Sequence, residues 1–319
     1  MNKTKTIAIA LVGLAIFTGV IIWLGAGHIL HAIVKVGWLG LAEIVAWQLF
    51  VFIILGVAWW TVTPKASLPT VVWGRLVREG GETCLPFSEV GGLIFGARAV
   101  MLSGLDFTTA AASSIVDVST EAMGMVPFVL IGLLLLMARK PGSSLLIPMI
   151  GVIALLVAGA VALYLLRAKL AGLLRNQLPR MVKKWVKDAP DQAEALEHKI
   201  EDLYSRTPRI AAGAFVHFVA WCGGGGNVWI AYHLLGAHPS IIDALAIESI
   251  LSGVLAVAFL IPAGIGVQEL TYVGVGKLFG IPGHISLALS LVRRARDIII
   301  GAPSLLIWQA REAKQLKKD

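Results

Sequence analysis

Ionisable side chains are concentrated in stretches of this chain that are otherwise apolar. Arg75, Arg78, Glu79, Glu82, Glu89 and Arg98 fall within 24 residues, and Asp117 and Glu121 stand four apart, on one face of a helix. Glu248 and Glu269 flank a glycine-rich break, while Arg293, Arg294, Arg296 and Asp297 crowd into five positions. A charge inside a membrane segment is costly, so it pairs or lines a polar pathway. Arginine is suited to the second task, because its fork of donors grips a phosphate through two bonds at once. The functional reading is a site in which Arg293, Arg294 and Arg296, held by Asp117, Glu121 and Asp297, offer guanidinium groups to an anionic lipid phosphate. Arg78, Glu82 and Arg98 belong to the same candidate site. The competing reading is that these charges neutralise one another and lock helices together, although locking needs one or two pairs and not a dozen ionisable groups.

The break itself offers a second contact. Gly264 and Gly266, just after Pro262, let the backbone approach closely and can begin a half-helix whose free N–H groups favour negative charge. Glu269, so near that start, would compete with an anion or cap the helix instead. Gly223 to Gly226 permit close helix packing or local unwinding, with packing the preferred reading. Enzymatic constellations are poor. His28 and His31 lack a convergent acidic or cysteine ligand, His217, His233, His238 and His284 are scattered, and Cys84 and Cys222 form no metal or disulfide pattern, so no metal is expected. Serine-hydrolase, zinc-protease and phosphate-loop motifs are absent, and no cofactor is expected. A transferase using Glu79, Glu82 or Glu269 as a base stays open.

The elements that must carry these residues are membrane helices. The chain has 319 residues, 57% hydrophobic and 14% charged, with a mean hydropathy of +0.83. A soluble globule would carry about 25% charged residues. Spans of about 20 residues are expected at 7–24, 38–62, 112–137, 145–166, 210–235 and 285–308. The first of these follows Lys3 and Lys5 like a signal peptide, but is long enough to span. Two further stretches, 71–104 and 241–280, are broken near the middle, around Gly80, Gly81 and Pro86 and at 262–266. Each is either a re-entrant pair of half-helices or a pair of full spans.

The net charge of +8 does not point to nucleic acid, because the basic residues sit at the ends of membrane segments. Segment 167–209 holds ten Lys or Arg against six Asp or Glu, and the C-terminus adds Arg311, Lys314, Lys317 and Lys318. Positive charge marks the cytoplasmic side, which places both termini and this loop there. Arg139 and Lys140, in a short outer loop, dissent. Within the loop, Leu196, Ile200 and Leu203 recur at helical spacing opposite Glu194, Glu197, His198 and Glu201. The pattern reads as an amphipathic helix on the inner leaflet or as a solvated connector.

The chain also repeats itself. Pro86, Gly104 and Pro127 recur as Pro262, Gly280 and Pro303, an offset of 176, and residues 86–131 share nine identities in 46 positions with 262–307. With the charge bias, the two copies run in opposite directions through the membrane. That is the arrangement of transporters whose site lies between two repeats at the midplane. The expected architecture is an all-α, polytopic helical membrane protein, one transmembrane domain with inverted repeats at about 38–137 and 210–309. The offset superposes Asp117 on Arg293, so the two are expected to face each other across the pseudo-two-fold axis.

At Leu260-Ile261-Pro262-Ala263-Gly264-Ile265-Gly266-Val267-Gln268-Glu269-Leu270, followed by the basic span from Arg293 to Asp297, the chain resembles the lysylphosphatidylglycerol synthase transmembrane-region family. That family includes the flippase domain of the multiple peptide resistance factor and free-standing proteins encoded with hopanoid biosynthesis. Leu85-Pro86-Phe87-Ser88-Glu89-Val90-Gly91-Gly92 resembles the hopanoid-associated branch. Gln268 stands where many relatives carry arginine, and Arg98 lies further past Pro86 than the usual family arginine. The soluble aminoacyl-transferase domain of two-part relatives is not expected, nor is lipid lysinylation. The resemblance implies a bacterial inner-membrane protein that moves or handles a polar lipid such as a hopanoid. The inverted copies, broken helices and buried arginines lead to the expectation that it translocates a polar or anionic lipid, an anionic phospholipid or a hopanoid-type lipid, without a covalent step. An intramembrane lipid-modifying enzyme, an accessory subunit of a lipid-synthesis complex, and a scaffold recruiting lipid-biosynthesis enzymes through 167–209 remain alternatives.

Overall fold

The computed structural model describes residues 26–63, 66–84, 89–144, 146–165, 189–258 and 264–315. Every regular element among them is an α-helix: α1 Ala26–Val62, α2 Leu68–Cys84, α3 Glu89–Met101, α4 Phe107–Arg139, α5 Leu146–Leu165, α6 Ala189–Ser205, α7 Thr207–Leu234, α8 Ile241–Val257, α9 Val267–Leu278 and α10 Gly283–Gln315. Val34–Val62 and Phe107–Arg139 are each long and apolar enough to cross a bilayer. The spans expected at 38–62, 112–137, 145–166, 210–235 and 285–308 fall on α1, α4, α5, α7 and α10 in turn. The span at 7–24, the prolines Pro86 and Pro262, and the basic stretch 167–188 lie outside the described residues.

Helix lengths match between the two halves of the chain. Helices α2 and α8 have 17 residues each, and α4 and α10 have 33 each. The shorter α3 and α9, of 13 and 12 residues, rise only about 20 Å, less than a bilayer core. Both end in the same way. Gly104 and Gly280 take positive φ, and Leu105 and Ile281 donate back to the carbonyls of Val100 and Gly276. Asp106 then starts α4 by accepting the Thr109 N–H at 2.8 Å. Pro127 and Pro303 occupy the same position within α4 and α10.

Packing is reciprocal between the halves: α2 lies on α10 and α8 on α4, while α1 contacts α10 and α7 contacts α4. Helices α1 and α7, the first of each half, cross antiparallel. Thr61 meets Gly213, Val51 meets Gly223, Trp47 meets Gly226, and Leu234 meets Gly40. Each of Gly223 to Gly226 faces a different neighbour inside an unbroken α7, so these glycines serve close packing. Trp47 Nε1 donates to the Gly223 carbonyl at 2.8 Å across the crossing.

Two expectations change. Gly80 and Gly81 do not interrupt the first broken segment, because both lie within α2, which continues to Cys84. Gly80 is small because α10 crosses there: an added Cβ would sit 2.7 Å from the Gly301 carbonyl oxygen. Nor does α6 turn its apolar stripe to a leaflet or to solvent. Leu196, Ile200 and Leu203 are buried in one cluster with Trp59, Val62, Val71, Val100, Ala112 and Val116, and Tyr204 hydrogen-bonds Ser119 of α4 at 2.5 Å. The apolar stripe is real, but its partner is the protein's own bundle.

Candidate functional site

A cavity of about 480 Å³ opens between the two halves, within the size range of small-ligand sites. Its wall carries five arginines, Arg75, Arg78, Arg293, Arg294 and Arg296, and five carboxylates, Glu79, Glu82, Glu121, Glu248 and Asp297. Apolar and amide side chains such as Val51, Leu55, Leu255, Gln48 and Gln268 complete it. It is an amphipathic chamber with charge from both halves of the chain.

On the first-repeat wall, the sequence places Arg75, Arg78, Glu79 and Glu82 at three- and four-residue intervals, so α2 turns them toward one side. Opposite them stand Asp117 and Glu121 of α4. Arg75 forks onto Glu121, with Nη1 to Oε2 at 3.0 Å and Nη2 to Oε1 at 2.6 Å, and also reaches Glu79 at 2.6 Å. Arg78 donates to Glu121 at 2.8 Å, Glu82 at 2.8 Å and Asp117 at 3.2 Å. Asp117 stands behind the wall, 1% exposed, between these arginines and His217 of α7, whose Nε2 lies 3.0 Å from Oδ1.

The second-repeat wall is built in the same manner. Arg293 of α10 donates to Glu248 of α8 at 2.6 Å and to the hydroxyl of Tyr272 of α9 at 2.7 Å, and that hydroxyl donates to Glu248 at 2.7 Å. Arg294 donates to Glu269 at 2.7 Å. Arg296 pairs with neighbouring Asp297 at 2.6 Å. Glu269 Oε2 accepts the Gly266 N–H at 2.8 Å, so the start of α9 is capped by its own carboxylate. Gln268, the expected departure from an arginine, donates to Ser290 at 2.7 Å and leaves a neutral amide in the chamber.

Of the twelve predicted residues, Arg78, Glu82, Glu121, Gly264, Arg293, Arg294, Arg296 and Asp297 line the cavity. Asp117, Gly266 and Glu269 stand behind it. Arg98 does not belong to the chamber: it makes a bidentate pair with Glu312, at 2.9 and 3.1 Å, that ties α3 to the end of α10. The expected pairing of Asp117 with Arg293 is also overturned. Arg75 is the eighth residue of α2 and Glu248 the eighth of α8, while Asp117 is the eleventh of α4 and Arg293 the eleventh of α10. Each half therefore forms its own pair between equivalent positions, with the signs exchanged.

Sequence reasoning left Arg75, Glu79 and Glu248 outside the site although it marked them as buried charges; it named Gln268 and His217 without placing them there, and it passed over Gln48 and Tyr272. The signal for Arg75 and Glu79 was the three- and four-residue spacing along α2. For His217 and Tyr272 there was none, because an isolated polar residue in an apolar helix does not name its partner.

All-helical architecture, apolar spans and buried charge around an internal chamber define an integral membrane protein. The lysylphosphatidylglycerol synthase TM region family model matches residues 10–303, and the chain belongs to that family. No curated protein and no solved structure matches it.

Proposed function

We propose that this chain is a lipid translocase of the bacterial cytoplasmic membrane, moving a polar or anionic lipid between leaflets without covalent chemistry. The chamber carries the reading: it draws charged residues from both halves and mixes them with apolar wall, which suits a headgroup inside and acyl chains outside. Family membership supports a role in lipid metabolism. The antiparallel crossing of α1 and α7 and the charge bias support two inverted repeats, with both termini and 167–209 in the cytoplasm.

Every arginine on the wall bonds a carboxylate at rest. A phosphate enters by exchange, taking donors from carboxylates that must then find other partners. The mixed lining fits a phospholipid headgroup. The resemblance of 85–92 to the hopanoid-associated branch makes a polar hopanoid a second lipid to test.

In proteoliposomes containing the purified protein, fluorescent phosphatidylglycerol is expected to change leaflets faster than in empty vesicles, and Arg294→Ala to slow it. Equal rates in all three would sink the proposal. Mass spectrometry of lipids recovered from the same vesicles is expected to find no new species; a converted lipid would favour the enzyme reading.

A further inference from the structure

The two walls of the chamber differ in balance. On the second-repeat wall Arg293, Arg294 and Arg296 face three carboxylates, Glu248, Glu269 and Asp297. On the first, Arg75 and Arg78 share four, Glu79, Glu82, Asp117 and Glu121. Two guanidinium charges for four carboxyls leave a deficit of positive charge in a buried place. A low-dielectric cluster with that deficit favours taking up a proton.

His217 stands at the inner end of this cluster. It is fully buried, and Asp117, its hydrogen-bond partner, also pairs with both arginines. With Nε2–H donating to Asp117, Nδ1 is a lone pair that has no hydrogen-bond partner among the described residues. The other faces of His217 supply no competing charge. Helix α1 has no ionisable residue between Glu43 and Val62, and α8 brings Glu248 against Gly224, two turns further along α7. Helix α10 holds its arginines and Asp297 on the second-repeat wall, and α4 offers Asp117 with Glu121 beyond it.

Occupancy changes that balance. An anion that takes donors from Arg75 and Arg78 removes them from Asp117, which is left buried with the imidazole alone. An imidazole can accept a proton at neutral pH, histidine being the side chain whose unperturbed charge change falls between about pH 5 and 8. We propose that His217 takes up one proton when an anionic headgroup enters the chamber, the proton passing from water to Nδ1, so that headgroup binding is linked to protonation at the contact between α4 and α7. The imidazolium then replaces the arginines as the partner of Asp117. This rests on reading the chamber as a headgroup site.

The probe is dihexanoylphosphatidylglycerol, kept monomeric and titrated calorimetrically into the purified full chain in non-ionic detergent, in buffers of different ionisation enthalpy. Wild type is expected to absorb about one proton per bound lipid at neutral pH, with affinity rising up to about tenfold per unit fall in pH. His217→Gln is expected to abolish both the exchange and the pH slope. Binding without proton exchange in wild type overturns the inference and leaves the headgroup site standing. Exchange that persists in His217→Gln overturns it too, by moving the proton elsewhere. No binding at all refutes the headgroup site itself and the linkage with it. The wild-type titration decides the linkage even if His217→Gln does not fold.

Discussion

Removing one oxygen atom, by Tyr272→Phe, tests whether the charged core of the second repeat holds its helices together. The Tyr272 hydroxyl donates to Glu248 Oε2 at 2.7 Å and accepts from Arg293 Nη1 at 2.7 Å, joining α8, α9 and α10 at one point. Tyr272 is fully buried and Glu248 nearly so. Phenylalanine keeps the ring, so the packing contribution is close to zero and the change isolates two bonds to charged partners. Bonds of that kind are worth about 1.5 to 3 kcal/mol each. Interhelical polar contacts in membranes average nearer 0.6 kcal/mol, because the unfolded chain in a membrane finds other partners. The Arg293 to Glu248 bond at 2.6 Å also survives the substitution and retains part of the cohesion. The expected loss is about 2 kcal/mol, above the membrane average because both partners are ionised and Glu248 keeps a bare oxygen. Reversible unfolding in mixed micelles, followed by tryptophan fluorescence, measures it. A loss below about 0.5 kcal/mol would show that the hydroxyl is dispensable and that the ion pair alone organises this wall.

Gly301→Ala places a Cβ 2.9 Å from Cys84 Sγ and 3.0 Å from Gly80 Cα, and is expected to cost about 1 to 3 kcal/mol through overpacking of α2 on α10, read as a lower unfolding temperature in detergent. An unchanged melt would mean that these helices separate without strain. On α6, the bond from Arg206 holds the carboxyl of Asp202 below the usual aspartate range. A lowered folded-state value means that its contribution is present above the ordinary aspartate value and is lost as pH falls through the lowered one. Carbonyl-carbon NMR is expected to find the Asp202 midpoint moved upward in Arg206→Gln; an identical midpoint in both proteins would remove Arg206 as the cause.

Helices, their approximate extents and an internal sequence repeat were legible in the residues. Apolar runs of membrane length, glycines at 104 and 280, and prolines at 127 and 303 are local features, and a helix depends mostly on local bonds. So were the types of residue in the chamber, because a charge in an apolar segment stands out wherever it points. The stripe on α6 was equally plain, yet its destination was not: Leu196, Ile200 and Leu203 are as apolar toward lipid as toward α4.

Partnership was decided by the tertiary structure. Asp117 and Arg293 are equivalent and opposite in sign, which made them look like mates, but Asp117 pairs with Arg75 and Arg78 of α2 and with His217 of α7, and Arg293 with Glu248 of α8. A guanidinium reaches whichever carboxylate the rotation and crossing of its helix bring within 3 Å or so, and neither is written into a single segment. Gly80 likewise read as a break until α10 was seen to cross over it. The amino-acid sequence by itself determined a doubled, charged membrane bundle of this family. Only the packing of α2, α4, α7, α8 and α10 decided that its charges form two sign-exchanged clusters around one chamber, because electrostatic pairing follows distance in space and the sequence records only distance along the chain.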